Sequence, residues 1–81
     1  MNIEIYTKNY CPFCHRAKHL LGNRGLEYTE YDVTHDPAGQ REMLERTGGH
    51  TVPQIIIDGE PIGGSDELAF LDHSGVLEPV S

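Results

Sequence analysis

Cysteine is nearly absent: Cys11 and Cys14 are the only two in 81 residues. A disulfide between residues so close in sequence closes too short a loop to staple distant elements, so the pair is not a structural framework. Long apolar runs are missing too. No stretch approaches the length that spans a bilayer, and Met1-Asn2-Ile3-Glu4-Ile5 lacks the basic segment and apolar run of an export signal. The expectation is a cytoplasmic protein in a reducing compartment, without membrane association. Basic residues are scarce as well. Six Lys and Arg against thirteen Asp and Glu leave a net charge of -7, which speaks against nucleic acid as a partner. Internal repeats, low-complexity segments and linkers are absent, and a chain of this length has room for one small domain, expected to span 1–81.

What basic charge there is sits at one end. Lys8, Arg16, Lys18 and Arg24 precede residue 27 with only Glu4 opposing them, whereas residues 27–81 hold Arg41 and Arg46 among twelve acids. A positive patch beside a thiol favours a thiolate and an anionic small ligand. Arg16, Lys18 and Arg24 themselves read as the solvated face of a helix.

Ile3 and Ile5, with Tyr6-Thr7 beside them, make a short alternating strand. Pro12 has the fixed backbone angle of a first helical position, Ala17, Leu20 and Leu21 continue an apolar face, and Gly22-Asn23-Arg24-Gly25 is a stop signal. Cys11 then stands at that helix's N-terminus. Residues 28–33, aromatic and β-branched, read as a second strand. Asp36-Pro37 opens a second helix with Met43 and Leu44 inward, ending at Thr47-Gly48-Gly49. Residues 52–57 and 60–62 flank an Asp58-Gly59 hairpin turn, and the run Ile55-Ile56-Ile57 implies a strand covered on both faces. Gly63-Gly64-Ser65-Asp66-Glu67, with Ser65 as cap, starts a third helix carrying Leu68, Phe70 and Leu71, which Gly75 ends. The order β-α-β-α-β-β-α is an α/β fold: a four-stranded mixed sheet flanked by helices, its first strand, helix and strand a right-handed parallel crossover.

Cys11-Pro12-Phe13-Cys14-His15 admits three chemistries. Covalent haem attachment matches literally, but that chemistry normally follows export, and Met43 at a core position is a poor axial ligand. Zinc asks for about four ligands. Cys11, His15 and His19 recur at a spacing of four, yet a second cysteine pair is missing and solvated histidines are the commoner state of a surface helix, so no metal is expected. A redox dithiol needs an exposed thiolate and a second thiol able to resolve a mixed disulfide. Cys11 faces unpaired N–H groups and the positive end of a helix dipole, with Lys8 three residues upstream. Cys14, one turn further in, is placed to attack a disulfide on Cys11 and is expected to be the less exposed of the two.

With Cys11-Pro12-Phe13-Cys14, Thr51-Val52-Pro53 and Gly63-Gly64-Ser65-Asp66 in this order on that element pattern, the chain resembles, over essentially its whole length, the dithiol glutaredoxins of the thioredoxin fold. The resemblance implies a glutathione-dependent thiol–disulfide oxidoreductase, with glutathione as reductant and co-substrate and no metal. Cys11 would take glutathione from a glutathionylated protein and be regenerated by a second glutathione, a route that needs Cys11 alone. Protein disulfides would also need Cys14. A binding site is implied as well. Val52, before a cis Pro53 in the Thr51-Val52-Pro53 motif, would pair strand-like with the cysteinyl part of glutathione. Backbone N–H groups around Gly64 and Ser65 would take the γ-glutamyl carboxylate and Asp66 its ammonium. Lys8 would lie near the thiolate and the glycyl carboxylate, Tyr10 toward the ligand with Phe13 flanking, and Gln40 at the glycyl carboxylate. The implied partners are glutathione and disulfide-bonded or glutathionylated proteins, the enzyme itself being a monomer.

Two departures stand out. Many relatives carry a further cysteine where this chain has Ser65, which excludes a third thiol here. Many carry a basic residue where this chain has Gly49, followed by His50, which removes one electrostatic aid to glutathione. Two rival functions share the scaffold: a redoxin reduced by thioredoxin reductase, and an iron-sulfur cluster carrier. The γ-glutamyl site speaks against the first, and Pro12 with Cys14, in place of a Cys-Gly-Phe-Ser motif, against the second.

Overall fold

In the computed structural model, which describes residues 1–77, the alternating apolar residues near the N-terminus become β1 (Ile3–Thr7), the sheet's second strand. Around it stand α1 (Pro12–Asn23), β2 (Thr29–Asp32), α2 (Pro37–Thr47), β3 (Gln54–Ile57), β4 (Glu60–Gly63) and α3 (Ser65–His73), in the order expected. The last four residues of the 1–81 span lie outside the described residues. The strand order is β2-β1-β3-β4, with β1 parallel to β2 and antiparallel to β3, and β3 antiparallel to β4. Among the described residues no helix is long and apolar enough to cross a membrane.

Successive strand residues point to opposite faces, and here both faces are covered. Ile3, Ile5 and Ile55 pack with Ala17 and Leu21 of α1 and Leu68 of α3; Tyr6 and Ile56 pack with Met43 of α2. The Asp58-Gly59 turn forms as read, both residues taking positive φ (50° and 85°) between β3 and β4.

The structure corrects four expectations. Leu44 is exposed, because α2 rests only a narrow stripe on the sheet and Leu44 is turned about 100° round the helix from buried Met43. Ser65 is the first residue of α3 and not its cap. Gly64 holds the cap position, and its N–H donates to Glu67 Oε1 at 2.7 Å. Residues 52–53 precede β3 and are not part of it. Lys18 is not a solvated side chain: only 24% exposed, it donates to Glu30 Oε2 at 2.9 Å.

One polar network ties β1 to its neighbours across the α2 face. Arg46 makes two hydrogen bonds to the Glu4 carboxylate, to Oε1 at 3.0 Å and Oε2 at 2.9 Å, and a third to Tyr6 Oη at 2.9 Å. Tyr31 of β2 donates to Glu4 Oε1 at 2.8 Å, and Tyr6 donates to Glu42 Oε1 at 2.6 Å. The Arg46 and Tyr31 hydrogen bonds hold the Glu4 carboxyl below its ordinary value of 4.5. A depressed folded-state pKa stabilises the fold at pH above the ordinary value and loses that contribution as pH falls through the folded value. Glu4→Gln is therefore expected to lower unfolding free energy by about 1 kcal/mol at neutral pH, measured by urea titration. The difference from the native protein shrinks as pH drops below about 4.5; a gap unchanged down to pH 2 would contradict this assignment.

Candidate active site

The backbone of Cys11 is extended (φ -98°, ψ 108°), so the residue caps α1 from outside while Pro12 begins the helix. In that position its sulfur accepts the Cys14 N–H at 3.1 Å, the bond that an N-cap side chain makes to the first turn. The Cys11 N–H donates to the Lys8 carbonyl at 3.3 Å, closing the turn between β1 and α1. Cys14 has no exposure and Cys11 only 7%, so the order of exposure is as expected, while Cys11 offers a narrower opening than the exposed thiol foreseen.

What narrows it is the segment before β3. The Val52–Pro53 peptide is cis, Pro53 is buried, and the Cys11 S–H donates to the Val52 carbonyl at 3.6 Å across 41 residues of sequence. A cleft of about 300 Å³ opens beside this contact, walled by Thr51, Val52 and Pro53 on one side and by Gly64, Ser65 and Asp66 on the other, with Phe13 at its edge. Gly64 allows the two walls to approach, since a Cβ there would stand 3.3 Å from the Pro53 carbonyl. The first turn of α3 supplies N–H groups without intrahelical partners. Asp66, with its side chain 82% exposed, lies 3.7 Å from Arg16.

The remaining expected residues stand apart from the cleft walls. Lys8 is half-buried, and Tyr10, 70% exposed, lies on the surface just before Cys11. Gln40 uses its amide to donate to the Val33 carbonyl at 2.8 Å, which fastens the end of β2 to α2. Gln54 and Glu67 also line the cleft; the sequence places Glu67 only at the start of the third helix and points to no role for Gln54. The pairing of Glu67 with a cap three residues earlier was the available signal for it. For Gln54, directly after Pro53, there was none.

The two thiols differ in environment. Burial pushes the Cys14 thiol up to about 12, and the adjoining Cys11 sulfur adds to the rise. A backbone hydrogen bond from Lys8 and the charge of Lys18 oppose it. Among the described residues no three metal-ligating side chains converge.

A Cys-x-x-Cys at a helix N-terminus, set against a cis-proline segment on a four-stranded mixed sheet, defines a dithiol redox protein of the thioredoxin fold. The glutaredoxin family model matches residues 3–62. Glutaredoxin 3 of Escherichia coli (strain K12) is 49% identical over 79 residues, covering 98% of this chain and 95% of that one. A Brucella melitensis glutaredoxin structure superposes with a TM-score of 0.81 at 43% identity, covering 95% of this chain and 84% of that one. A buckwheat glutaredoxin–glutathione complex superposes with a TM-score of 0.83 at 32% identity, over 93% and 71%. The chain belongs to the glutaredoxin family, and is thus a thiol–disulfide oxidoreductase carrying the dithiol pair Cys11 and Cys14.

Burial of Cys14 has a direct chemical readout. In Cys11→Ser, iodoacetamide at pH 8 is expected to alkylate the remaining thiol at least about a hundredfold more slowly than a free cysteine, since only thiolate reacts. The rate rises with pH, and urea unfolding restores ordinary reactivity. Alkylation at the rate of a free thiol in the folded protein would show that Cys14 is not shielded.

Proposed function

We propose that the protein is a glutathione-dependent oxidoreductase acting on glutathionylated and disulfide-bonded proteins, with Cys11 as nucleophile and Cys14 as resolving thiol. The observation that carries this reading is the meeting of the Cys11 sulfur with the Val52 carbonyl at one end of a cleft whose far wall is the N-terminus of α3. An extended γ-glutamyl-cysteinyl-glycine would lie along that cleft, pairing with the Val52 backbone near the cysteine sulfur. Its γ-glutamyl carboxylate would meet the first-turn N–H groups of α3, and its ammonium would meet exposed Asp66. Lys8 would face the glycyl carboxylate, and Tyr10 would cover the ligand's outer side. Gln40 would have to leave the Val33 carbonyl to take part, so its role is secondary in this reading. The glutathione complex of the buckwheat relative supports the choice of co-substrate.

In the mechanism, Cys11 thiolate attacks the glutathione sulfur of a mixed disulfide, the protein thiol leaves, and a second glutathione displaces the first from Cys11 as glutathione disulfide. With a protein disulfide, Cys11 binds the target sulfur, Cys14 displaces the target, and two glutathiones reduce the Cys11–Cys14 bond. The enzyme acts as a monomer in a reducing, cytoplasmic setting.

Reduction of a glutathionylated peptide, coupled to glutathione reductase, tests the assignment. Turnover is expected to persist in Cys14→Ser and to vanish in Cys11→Ser, while reduction of a peptide disulfide needs both cysteines. Asp66→Asn is expected to raise the KM for the glutathionylated peptide by about three- to tenfold with little change in kcat, the loss of one charged hydrogen bond. Turnover driven by thioredoxin reductase with glutathione idle would refute the reading.

A further inference from the structure

The resolving step asks something of Cys14 that its burial opposes. Cys14 attacks only as a thiolate, yet it has no exposure to water. One cation shares its face of the helix. Lys18 follows Cys14 by four residues on α1, the spacing that stacks side chains on one helix face.

A free lysine would swing into solvent, but this one is fixed. Its Nζ donates to Glu30 Oε2 at 2.9 Å, and the same oxygen accepts the Thr7 hydroxyl at 2.6 Å. Thr7 is buried at the end of β1 and precedes Lys8, the residue whose backbone bonds the Cys14 sulfur. Glu30 keeps Lys18 protonated, raising it above its ordinary value. Burial pushes the Glu30 carboxyl up, but the Thr7 and Lys18 bonds bring it below its ordinary value, so both partners stay charged.

The groups acting on Cys14 are thus Cys11 from the helix cap, the Lys8 backbone from the β1–α1 turn, and Lys18 from its own helix. Behind Lys18 stand Tyr28 and, on β2, Glu30 and Asp32. Lys18 is the one side-chain cation among these groups, and its charge opposes the upward push of burial on the Cys14 thiol.

We propose that Lys18, pinned by Glu30 and Thr7, is a positioning residue for the resolving step, a fixed cation that favours the Cys14 thiolate and speeds its attack on a mixed disulfide at Cys11. This rests on the dithiol route proposed above. In that step Cys14 gives up its proton and its sulfur bonds to the Cys11 sulfur. The bond from Cys11 to the target breaks, and the target leaves as a thiolate that takes up a proton.

Stopped-flow reaction of the reduced protein with dithiobis-nitrobenzoate separates the two thiols. The first coloured thiolate is released when Cys11 attacks, leaving the other half on Cys11; the second is released when Cys14 displaces it. In Lys18→Met, which keeps the apolar stem, the ratio of second-phase to first-phase rate is expected to fall about three- to tenfold at pH 8. The rise of the second phase with pH should move upward by as much as about one unit. Lys18→Arg should restore most of both. A second phase in Lys18→Met with native rate and pH dependence overturns the proposal. So does an equal slowing in both variants with no displacement in pH, which would mark a packing role. A native protein with no second phase, or a second phase that survives in Cys14→Ser, overturns the dithiol route and the proposal with it.

Discussion

Burial of β1 on both faces is the constraint on which the rest of the structure depends. A strand with Ile3 and Ile5 on one side and Tyr6 on the other must be covered twice, and α1 with α3 and α2 are what cover it. Once β1 is interior, its chemistry has to appear where it ends. The register then decides what meets there: Tyr6, near the end of β1, lies opposite Gln54, the first residue of antiparallel β3. Segment 51–53 is thereby brought to the exit of β1, where α1 begins. Gly63 pairs with Ile55, so the end of β4 and the start of α3 reach the same edge. Three short motifs far apart in sequence converge because one register places all their strand ends together, in the crevice at the carboxyl end of the central strand.

Much of this was legible in the residues. Pro12 set the first turn of α1, Asp58-Gly59 demanded a tight hairpin, and three adjacent isoleucines implied a strand covered on both faces. These signals are local, and local chemistry decides them. The failures are of two other kinds. Leu44 and Ser65 were misjudged by one position, because apolar content and capping preference fix a helix's neighbourhood more tightly than its rotation or its first residue. Arg46 with Glu4, and Lys18 with Glu30, were invisible because the partners lie 42 and 12 residues apart and no spacing rule links them. Gln40 belongs to the same kind: the side chain assigned toward a ligand spends its amide on the end of β2.

Charge explains why a strongly acidic protein can still carry thiol chemistry at one end. Arg16, Lys18, Arg24 and Arg46 each face a carboxylate. Two of these pairs, Arg16–Asp66 and Arg24–Asp72, are solvent-facing and add little to stability. Lys18–Glu30 and Arg46–Glu4 join a helix to the sheet. Lys8 makes no such ion pair among the described residues, and in the proposed function it is the cation left for the glycyl carboxylate.

One helical turn separates the two sulfurs, yet it assigns them opposite demands. Cys11, at the cap, receives an N–H and touches a backbone carbonyl at the mouth of a cleft, so it can be approached. Cys14, one turn in, is fully buried, and the burial that shuts it off from water is what makes its thiolate costly. In the proposed dithiol route Cys14 needs this protection, since it must react with one sulfur only, the one bonded to Cys11. Protection without a compensating charge would leave it inert. The Lys18–Glu30 pair is therefore better understood with the dithiol than with the fold: its cation lies on the helix face of the buried sulfur, and its carboxylate keeps that cation from drifting into solvent.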